Sequence, residues 1–521
     1  MTGAYLGGWI EKVGDRLNPI LVKETRQALK SRQFVGTFTL LLVASLLVSF
    51  GGVALAGPDL DYRSMGSTFF VAYFAVLAFA VFIVVPFGAY RSLAAEQEER
   101  TYELLSITTL RPGQIITGKL LSSMIQMFIY FSAIAPFMAF TYLLKGIDIL
   151  AILFVLVLAL FGSVGFSMCG LFLATFSSRR AWQVFLSVVM ISGLGIATIF
   201  SVFLAMLILQ ELGGPFFDPS FYVAMTVLLT FYLTGFALMF QLSLSQLTFE
   251  SDNRSSKVRL VILVQFATGI AWIAWAWIME LEGDRIFLEV MSAAACIYWG
   301  IIGACLIAEP LGISRRVARQ IPRFGPVRTL ALLLFPGPAT GLALVLVGLA
   351  TIPTLVGLAE LTETWAVVNY RATGTRGEAA AMAIGMASYA FFYVGLGAIL
   401  VRFMRRFRLV PLPAGAATTV ILAALGSLIP NFFVLAMRQG RYMTYDIWQI
   451  TDPFTTVAEI GNASHIFSPL LCVPLGMAIL VLVLNLRVMA CAVHEVDRLG
   501  SRRQVASAVA VRTLQEIDAA S

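Results

Sequence analysis

The sequence predicts an all-α integral membrane protein with about 12 transmembrane helices, and three observations carry this prediction. Hydrophobic residues make up 59% of the 521 residues and charged residues only 12%, whereas about a quarter of the residues in a soluble domain are charged. The hydrophobic residues form runs of the roughly 20 residues that a helix needs to cross ~30 Å of hydrocarbon. The charged residues gather between these runs. Lipid is therefore the solvent that this composition requires.

Twelve runs are long enough, and each predicts one membrane span. The first begins too late and is too long to be the hydrophobic region of a signal peptide, so we expect it to stay in the protein. The approximate limits of the spans are 34–56, 67–90, 119–144, 149–176, 181–209, 220–248, 259–279, 288–308, 329–359, 380–401, 413–437 and 466–486.

The distribution of Lys and Arg orients the predicted spans. Of the 36 basic residues, 29 lie in the loops that share a side with the N-terminus. By the positive-inside rule that side is cytoplasmic, so both termini are predicted to be cytoplasmic. The net charge of +7 follows from this bias. It indicates membrane lipids of the anionic inner leaflet as a partner, and not nucleic acid.

Residues 1–33 are predicted to contain an elbow helix that lies in the cytoplasmic interface of the membrane. Asn18 followed by Pro19 is a helix-start signal, with Asn as the N-cap and Pro at the first helical position. Ile20, Leu21, Ala28 and Leu29 then lie among charged residues, which is typical of a helix at a membrane surface. An ordinary soluble basic helix is the alternative. The residues predicted to matter in this helix are Asn18, Pro19, Lys23, Glu24 and Arg26.

The longest cytoplasmic loop of the first half, residues 91–118, differs from a simple connector. The acidic stretch EQEE precedes the largely apolar YELLSI, and Pro112 and Gly113 then break the chain. This order predicts two short amphipathic pieces joined by a turn and lying against the inner membrane face. A solvated loop whose charges serve topology alone is the alternative, but such a loop would not need four large apolar residues.

The stretch GQIITGKL at 113–120 matches all but the last position of the P-loop pattern G-x-x-x-x-G-K-[ST]. A P-loop needs a buried strand before it and a Ser or Thr after the Lys to hold Mg²⁺. Here Leu120 follows Lys119, and no strand is predicted upstream. The stretch is therefore predicted to bind no nucleotide. We interpret Gly118 and Lys119 as the elbow at which residues 91–118 enter the third span, with Lys119 at the head-group level.

Beyond the elbow helix, the chain is predicted to divide into three parts. A six-helix transmembrane domain covers 34–250, a second six-helix region covers 251–487, and a cytoplasmic tail covers 488–521. The two sets of six spans have the same orientation, so a parallel repeat of topology is predicted, although no sequence motif recurs. Loops at about 360–379 and 438–465 contain Trp and Tyr and are predicted to form short interfacial or capping helices on the outer side.

Two stretches resemble the membrane subunits of ABC-2 type transporters. NPILVKETRQALKSRQF at 18–34 is similar to the opening that precedes the first span in many such permeases. EQEERTYELLSITTLRPGQIITGKLL at 96–121 looks like their segment between the second and third spans, with Arg100 where Gly is usual and Thr109 where Pro is common. The resemblance covers roughly residues 18–250.

The resemblance implies that residues 91–118 contain a coupling helix, which docks into a separate ATP-binding subunit. The residues matched to this contact are Glu96, Glu98, Thr101, Glu103, Leu104 and Leu105, with Gly118 and Lys119 matched at its end. The implied function is a permease subunit that couples ATP hydrolysis to export across the bacterial cytoplasmic (inner) membrane. The implied partners are two copies of a cytosolic ABC ATPase, which would bind ATP and Mg²⁺, and either a second permease chain or a second copy of this one.

Two other functions stay open on the sequence alone. Twelve spans in a 6+6 arrangement also suit an ion-coupled secondary transporter, although ionisable residues lie at the ends of the predicted spans and such transporters usually need them at depth. A membrane scaffold or assembly subunit is the other alternative. An enzyme is not predicted, and no cofactor is expected on this chain. Catalysis would need converging His, Asp, Glu or Cys, whereas the chain has two His, and its five Cys lack metal-site spacing.

Overall fold

The computed structural model confirms the predicted fold class. Among the residues it describes there is no strand, and twelve helices have the length and composition of membrane spans. The protein is therefore an all-α integral membrane protein. The described residues are 18–56, 65–99, 111–144, 147–176, 180–210, 219–249, 252–279, 285–310, 314–319, 322, 331–366, 378–407, 410, 412–437, 445–462 and 469–520.

The helices of the first half begin with a short one that precedes the first span. A π-helical turn, Phe79–Val84, interrupts the second span. The α-helices in order are α1 Pro19–Leu29, α2 Arg32–Ala56, α3 Gly66–Ala78, α4 Val85–Glu98, α5 Pro112–Leu143, α6 Ile149–Ala174, α7 Arg180–Gln210 and α8 Pro219–Leu247.

The described part of the second half adds six further spans and four shorter elements. Two 3-10 turns, Ile447–Thr451 and Pro469–Leu471, precede its last two helices. The α-helices are α9 Ser256–Met279, α10 Arg285–Leu306, α11 Arg315–Ala318, α12 Pro338–Ala366, α13 Glu378–Met404, α14 Leu412–Met437, α15 Pro453–Asn462 and α16 Cys472–Ala520.

One predicted limit in the second half is wrong for an identifiable reason. The ninth span begins at Pro338 and not at 329, because the chain turns at Phe335-Pro336-Gly337 and Gly337 has a φ of 140°, which favours glycine. Within the predicted tail at 488–521, residues 488–520 continue the last span as one helix, α16, and the tail itself stays a prediction. That stretch contains no proline and is rich in good helix formers, so nothing stops the helix.

Packing divides the chain into two compact units. Unit one comprises Met1–Phe249 and Val261–Gly269, and unit two comprises Glu250–Leu260 and Ile270–Ser521. The functional assignment of the two predicted six-helix regions stays a prediction.

The second span, formed by α3, the π turn and α4, is the most buried span of unit one. Phe70 and Tyr73 have no exposed surface. At the π turn, the backbone carbonyl of Val81 accepts a hydrogen bond of 2.7 Å from the hydroxyl of Ser163 in α6. This bond satisfies a carbonyl at a turn whose pattern departs from the regular α-helical ladder. The second span is therefore the element around which unit one packs.

In unit two the corresponding central element is α13, which packs against α10, α12, α14 and α16. Small residues let these helices approach closely. A Cβ at Gly397 would lie 2.3 Å from the hydroxyl of Thr419 in α14, and a Cβ at Gly395 would lie 2.3 Å from Val481 in α16. Close contact through small residues is how helices associate where lipid offers no hydrophobic driving force.

Candidate coupling site

The short helix α1 starts where the sequence predicts and is tied to the start of the third span. The side chain of Asn18 accepts a hydrogen bond of 3.1 Å from the backbone N–H of Ile20, which confirms Asn18 as the N-cap. Its amide group also donates to the backbone carbonyl of Gln114 in α5. One side chain therefore caps α1 and joins it to the first turn of α5.

Gly118 allows α1 and α5 to cross closely. A Cβ at this position would lie 3.0 Å from the side-chain amide of Asn18 and 3.0 Å from the side chain of Ile20. Ile20 and Leu21 are buried beneath the polar face of α1. A larger residue at position 118 would push α1 away from the third span.

One residue after Gly118, Lys119 forms the charged centre of the site. Its side chain is only 1% exposed, and its ammonium group has three hydrogen-bond donors. The Nζ atom lies 2.8 Å from Glu24 of α1, 3.1 Å from Glu96 of α4 and 3.3 Å from the carbonyl of Ser92. We call these four residues the Lys119 cluster. It joins the element before the first span, the end of the second and the start of the third.

The cluster corrects the predicted role of Gly118 and Lys119. The third span runs unbroken through them, because α5 starts at Pro112 and not at 119, so they do not form a bend. Lys119 lies in a buried ion cluster. Residues 113–120 are also the first turns of a helix, a backbone that differs from the loop a P-loop requires.

The coupling segment is also organised differently from the two short pieces that the sequence predicts. Its first part, 91–98, continues the second span as α4, and its last part, 112–118, is already α5. The predicted break at Pro112-Gly113 is the helix start, where Pro is well accommodated. Residues 100–110 lie outside the described part of the chain. The predicted contact residues Thr101, Glu103, Leu104 and Leu105 therefore lie there too.

Two acidic residues end α4. Glu98 and Glu99 are exposed at the C-terminus of this helix, where negative charge is unfavourable by about 0.3–1 kcal/mol because of the helix dipole. Helix stability therefore does not explain them. Glu96, two residues earlier, turns inward to Lys119. Of the two acidic residues predicted as partner contacts in α4, one is thus structural and one is presented outward.

The outward face of α1 carries positive charge. Lys23 and Arg26 are exposed, and the Nζ atom of Lys23 lies 3.9 Å from Glu96. Together with Pro19, Val22, Gln27 and Lys30 they line a shallow groove. Such a face suits the phosphate groups of anionic lipids, which attract clustered Lys and Arg at a membrane surface.

Further hydrogen bonds attach the fifth span to the extension of the second. Gln183 in α7 donates to the carbonyl of Ala94 at 3.1 Å and accepts at its own carbonyl from the hydroxyl of Tyr90, also at 3.1 Å. Sequence reasoning missed Gln183, Ser92 and Gln114. No sequence signal was present for these three residues. One was present for the ion partners of Lys119: this residue lies just inside a span, where an ammonium group without a counter-charge is costly, so a carboxylate is expected beside it.

Unit two has a buried ion pair of its own, around Arg259 in the first turn of α9. The guanidinium has no exposed surface. It donates at 2.7–3.0 Å to the side chains of Ser255, Thr340 and Glu309 and to the carbonyl oxygens of Leu333 and Gly337. Glu309 also accepts from the backbone N–H of Gly337 at 2.8 Å. We call these residues the Arg259 cluster, and it holds the turn before α12 in place.

No group of three or more His, Cys, Asp and Glu side chains in the described part of the chain is arranged to hold a metal ion. Comparison of the chain with family models, with curated proteins and with solved structures returned no match. The candidate site is therefore inferred from the geometry of this chain alone.

Proposed function

We propose that this chain is the membrane subunit of an ATP-driven transporter of the ABC-2 type, in which residues 91–118 receive the movement of separate ATPase subunits. The observation that carries the proposal is the Lys119 cluster. It joins both ends of the segment, through Glu96 and Lys119, to the helix α1 through Glu24. A displacement of the segment would therefore move three elements together.

The continuity of the helices supports this role. The segment begins as the extension of the most buried span of unit one and ends as the first turns of α5. No hinge lies between the segment and either span within the described residues. A contact made on the segment would thus act on the centre of unit one directly.

The exposed carboxylates support a protein contact at the end of α4. Glu98 and Glu99 are exposed at the C-terminus of α4, and exposed carboxylates suit a basic surface on a partner. We expect that partner to be a cytosolic ATPase present in two copies, which supplies ATP and Mg²⁺. Transport would then be export across the bacterial inner membrane.

The ion-coupled carrier is the alternative, and the positions of charge weigh against it. In the described spans, the ionisable groups lie near span ends, as Lys119, Arg259 and Arg402 do. Coupling ions are usually bound near the midplane. Transport by the purified chain alone, driven by an ion gradient and independent of ATP, would contradict our proposal.

Co-purification tests the proposed partner. The tagged chain would be purified from its own cells in mild detergent and assayed for accompanying ATP hydrolysis and for a P-loop protein by mass spectrometry. We expect both with the native chain and neither with Glu98→Lys. This substitution places a positive charge at the helix C-terminus, which the helix dipole favours, so we expect α4 to stay folded. Loss of the partner would then reflect loss of the contact.

Asp252→Lys is the matched control. It also reverses the charge of a partly exposed carboxylate, but in unit two and outside the segment. We expect it to retain the ATPase. If Glu98→Lys also retains the ATPase, then the end of α4 is not the contact. If no ATPase accompanies the native chain, the proposed function itself is wrong.

A further inference from the structure

Residues 445–462 form a small structure that follows the eleventh span, and we call them the cap segment. It consists of the 3-10 turn Ile447–Thr451 and the helix α15. The 3-10 turn begins with a capping box, in which the backbone N–H of Asp446 donates to the side chain of Gln449 at 3.0 Å. The sequence predicts short interfacial or capping helices in this loop, and the segment has that form.

The cap segment is joined to a proline break in α14. Pro430 has no N–H, so the carbonyl of Gly426, four residues earlier, loses its helical partner. The hydroxyl of Thr451 donates to this carbonyl at 3.1 Å. The segment therefore completes the hydrogen bonding of the span on which it lies.

A buried carboxylate strengthens the same junction. Asp452 has no exposed surface and accepts from the side chains of Asn431, at 2.8 Å, and Thr455, at 2.7 Å. Burial alone would raise the pKa of Asp452, but hydrogen bonds from Ser427, Asn431 and Thr455 outweigh it, and the pKa lies below its usual value.

Two tyrosines of α13 hold the other side of the segment. The hydroxyl of Tyr389 donates to the carbonyl of Ile450, and the hydroxyl of Tyr393 donates to that of Thr451. Gly426 makes room for Tyr393, because a Cβ there would overlap its hydroxyl. The polar side of the cap segment is thus fixed on two spans at once.

Its opposite side is apolar and exposed. Ile447 is 71% exposed, Trp448 58% and Phe454 71%. The ring of Trp448 lies edge-on to that of Phe433 in α14, with 5.5 Å between ring centroids. The neighbouring Phe432 of α14 is 73% exposed. The apolar side of the segment is therefore continuous with the surface of a span that has almost no protein cover.

We propose that the cap segment is a membrane-interface anchor, with Ile447, Trp448 and Phe454 inserted at the boundary between head groups and acyl chains. Trp favours this depth because its ring is apolar and its N–H is polar. The apolar side of the cap segment continues the lipid-facing surface of α14, so we expect lipid, and not protein, to cover it. Unlike a free amphipathic helix, the segment is held in place from behind, so its insertion also fixes the end of α14 in the bilayer.

Tryptophan quenching in reconstituted vesicles tests this placement. The chain has eight Trp residues, so the fluorescence of Trp448 is obtained as the difference between the native chain and Trp448→Phe. Phosphatidylcholine–phosphatidylglycerol vesicles with bromine near the head-group end of the acyl chain should quench this difference more strongly than vesicles with bromine near the chain end. Iodide on both sides of the bilayer should quench it little.

A matched control is Trp299, which is in unit two and has no exposed surface. The difference between the native chain and Trp299→Phe should be quenched by neither agent. If Trp448→Phe does not fold, Phe454→Trp in the native chain adds a reporter to the same face, and the added fluorescence replaces the difference. Asp452→Ala should release the segment and make Trp448 accessible to iodide.

Two results would overturn the proposal. Strong quenching of Trp448 by iodide in the native chain would place the face in water. Quenching by neither iodide nor brominated lipid would mean that protein covers it, either another chain or a second copy of this one.

Discussion

The Lys119 cluster of unit one and the Arg259 cluster of unit two occupy the same place in the order of their spans. Each contains a group at or just before the first span of its unit, a carboxylate after the second, and a group at the start of the third. In unit one these groups are Glu24, Glu96 and Lys119, and in unit two they are Arg259, Glu309 and the turn at Gly337. The cation sits on the third span in unit one and on the first span in unit two.

The two clusters differ in how their cation is bonded. Both cations are buried and the carboxylates beside them are similarly exposed, by 12–15%, but Lys119 contacts only two carboxylates and the oxygens of Ser92. Arg259 uses all three nitrogens of its guanidinium on side chains and backbone carbonyls inside unit two. Arg suits this role because its planar group makes several directed bonds, whereas Lys acts as a compact charge.

The comparison indicates different roles for the same arrangement. In unit one, the carboxylate after the second span lies at the start of a long segment that leads to the proposed partner contact. In unit two, Glu309 is followed closely by the short helix α11, and the cluster fixes a turn. We infer that the first cluster transmits a movement, whereas the second maintains a structure.

The largest expected effect is that of Arg259→Met. The substitution leaves Glu309 without its cation and removes donors from two carbonyls and from Thr340. Loss of one partner of a buried ion pair costs about 3–5 kcal/mol, and we expect the free energy of unfolding in detergent micelles to fall by that amount. Glu309→Gln in the same chain should recover part of the loss, because it removes the uncompensated charge. An effect no larger than that of Lys119→Met would contradict the difference between the clusters.

Lys119→Met should have the next largest effect. Two carboxylates would face each other without a cation, but only one backbone carbonyl, that of Ser92, would lose a donor, so we expect a loss of roughly 2 kcal/mol in the free energy of unfolding. The triple variant with Glu24→Gln and Glu96→Gln should restore much of this stability. If the cluster transmits movement, the triple variant should still bind the ATPase and should not transport. Full transport by the stable triple variant would rule out that role.

Much of the fold could be predicted from the sequence, because spans are encoded by composition alone. Length and hydropathy give all twelve, and the Asn18-Pro19 signal gives the start of α1. The start of α12 could not be predicted in this way, because residues 329–337 are apolar enough to be taken as part of the span that follows them. The turn there depends on Arg259, which lies 74 residues before Leu333 and 81 residues before Thr340 in the chain.

The sequence predicted which stretches of the chain form the candidate site, but not which residues contact each other there. The sequence indicates that the N-terminal helix and residues 91–118 matter, but it does not indicate which residues pair with Lys119. The structure pairs Lys119 with Glu24, 95 residues earlier. Such a pairing depends on how α1 crosses α5 at Gly118. That crossing brings together residues far apart in the chain, and it cannot be predicted from a single sequence.

Gly118→Val tests that crossing and should have a smaller effect. A side chain at 118 would meet Asn18 and Ile20 at 3.0 Å, and overpacking of this kind costs about 1–3 kcal/mol. We expect α1 to detach from α5, so that trypsin cleaves at Lys23 and Arg26 several times faster. The control is Gly36→Val, where a Cβ meets nothing within 4 Å. Equal cleavage of the two variants would show that α1 is not held at Gly118.

The smallest expected effect on stability is that of Arg316→Met. This variant tests whether the burial of an ion pair, and not its charge alone, determines its contribution to stability. Arg316 lies 2.8 Å from Asp252, but its side chain is 65% exposed and that of Asp252 35%. The hydrogen bond and the charge of Asp252 raise the pKa of Arg316, yet water solvates either residue well when its partner is removed, and salt screens the pair. We therefore expect no measurable change in thermal unfolding, although Arg259 forms an ion pair of similar length in the same unit. A destabilisation that approached that of Arg259→Met would mean that ion-pair distance, and not enclosure by backbone carbonyls, sets the strength of these contacts. The two clusters would then have to be ranked by their distances alone.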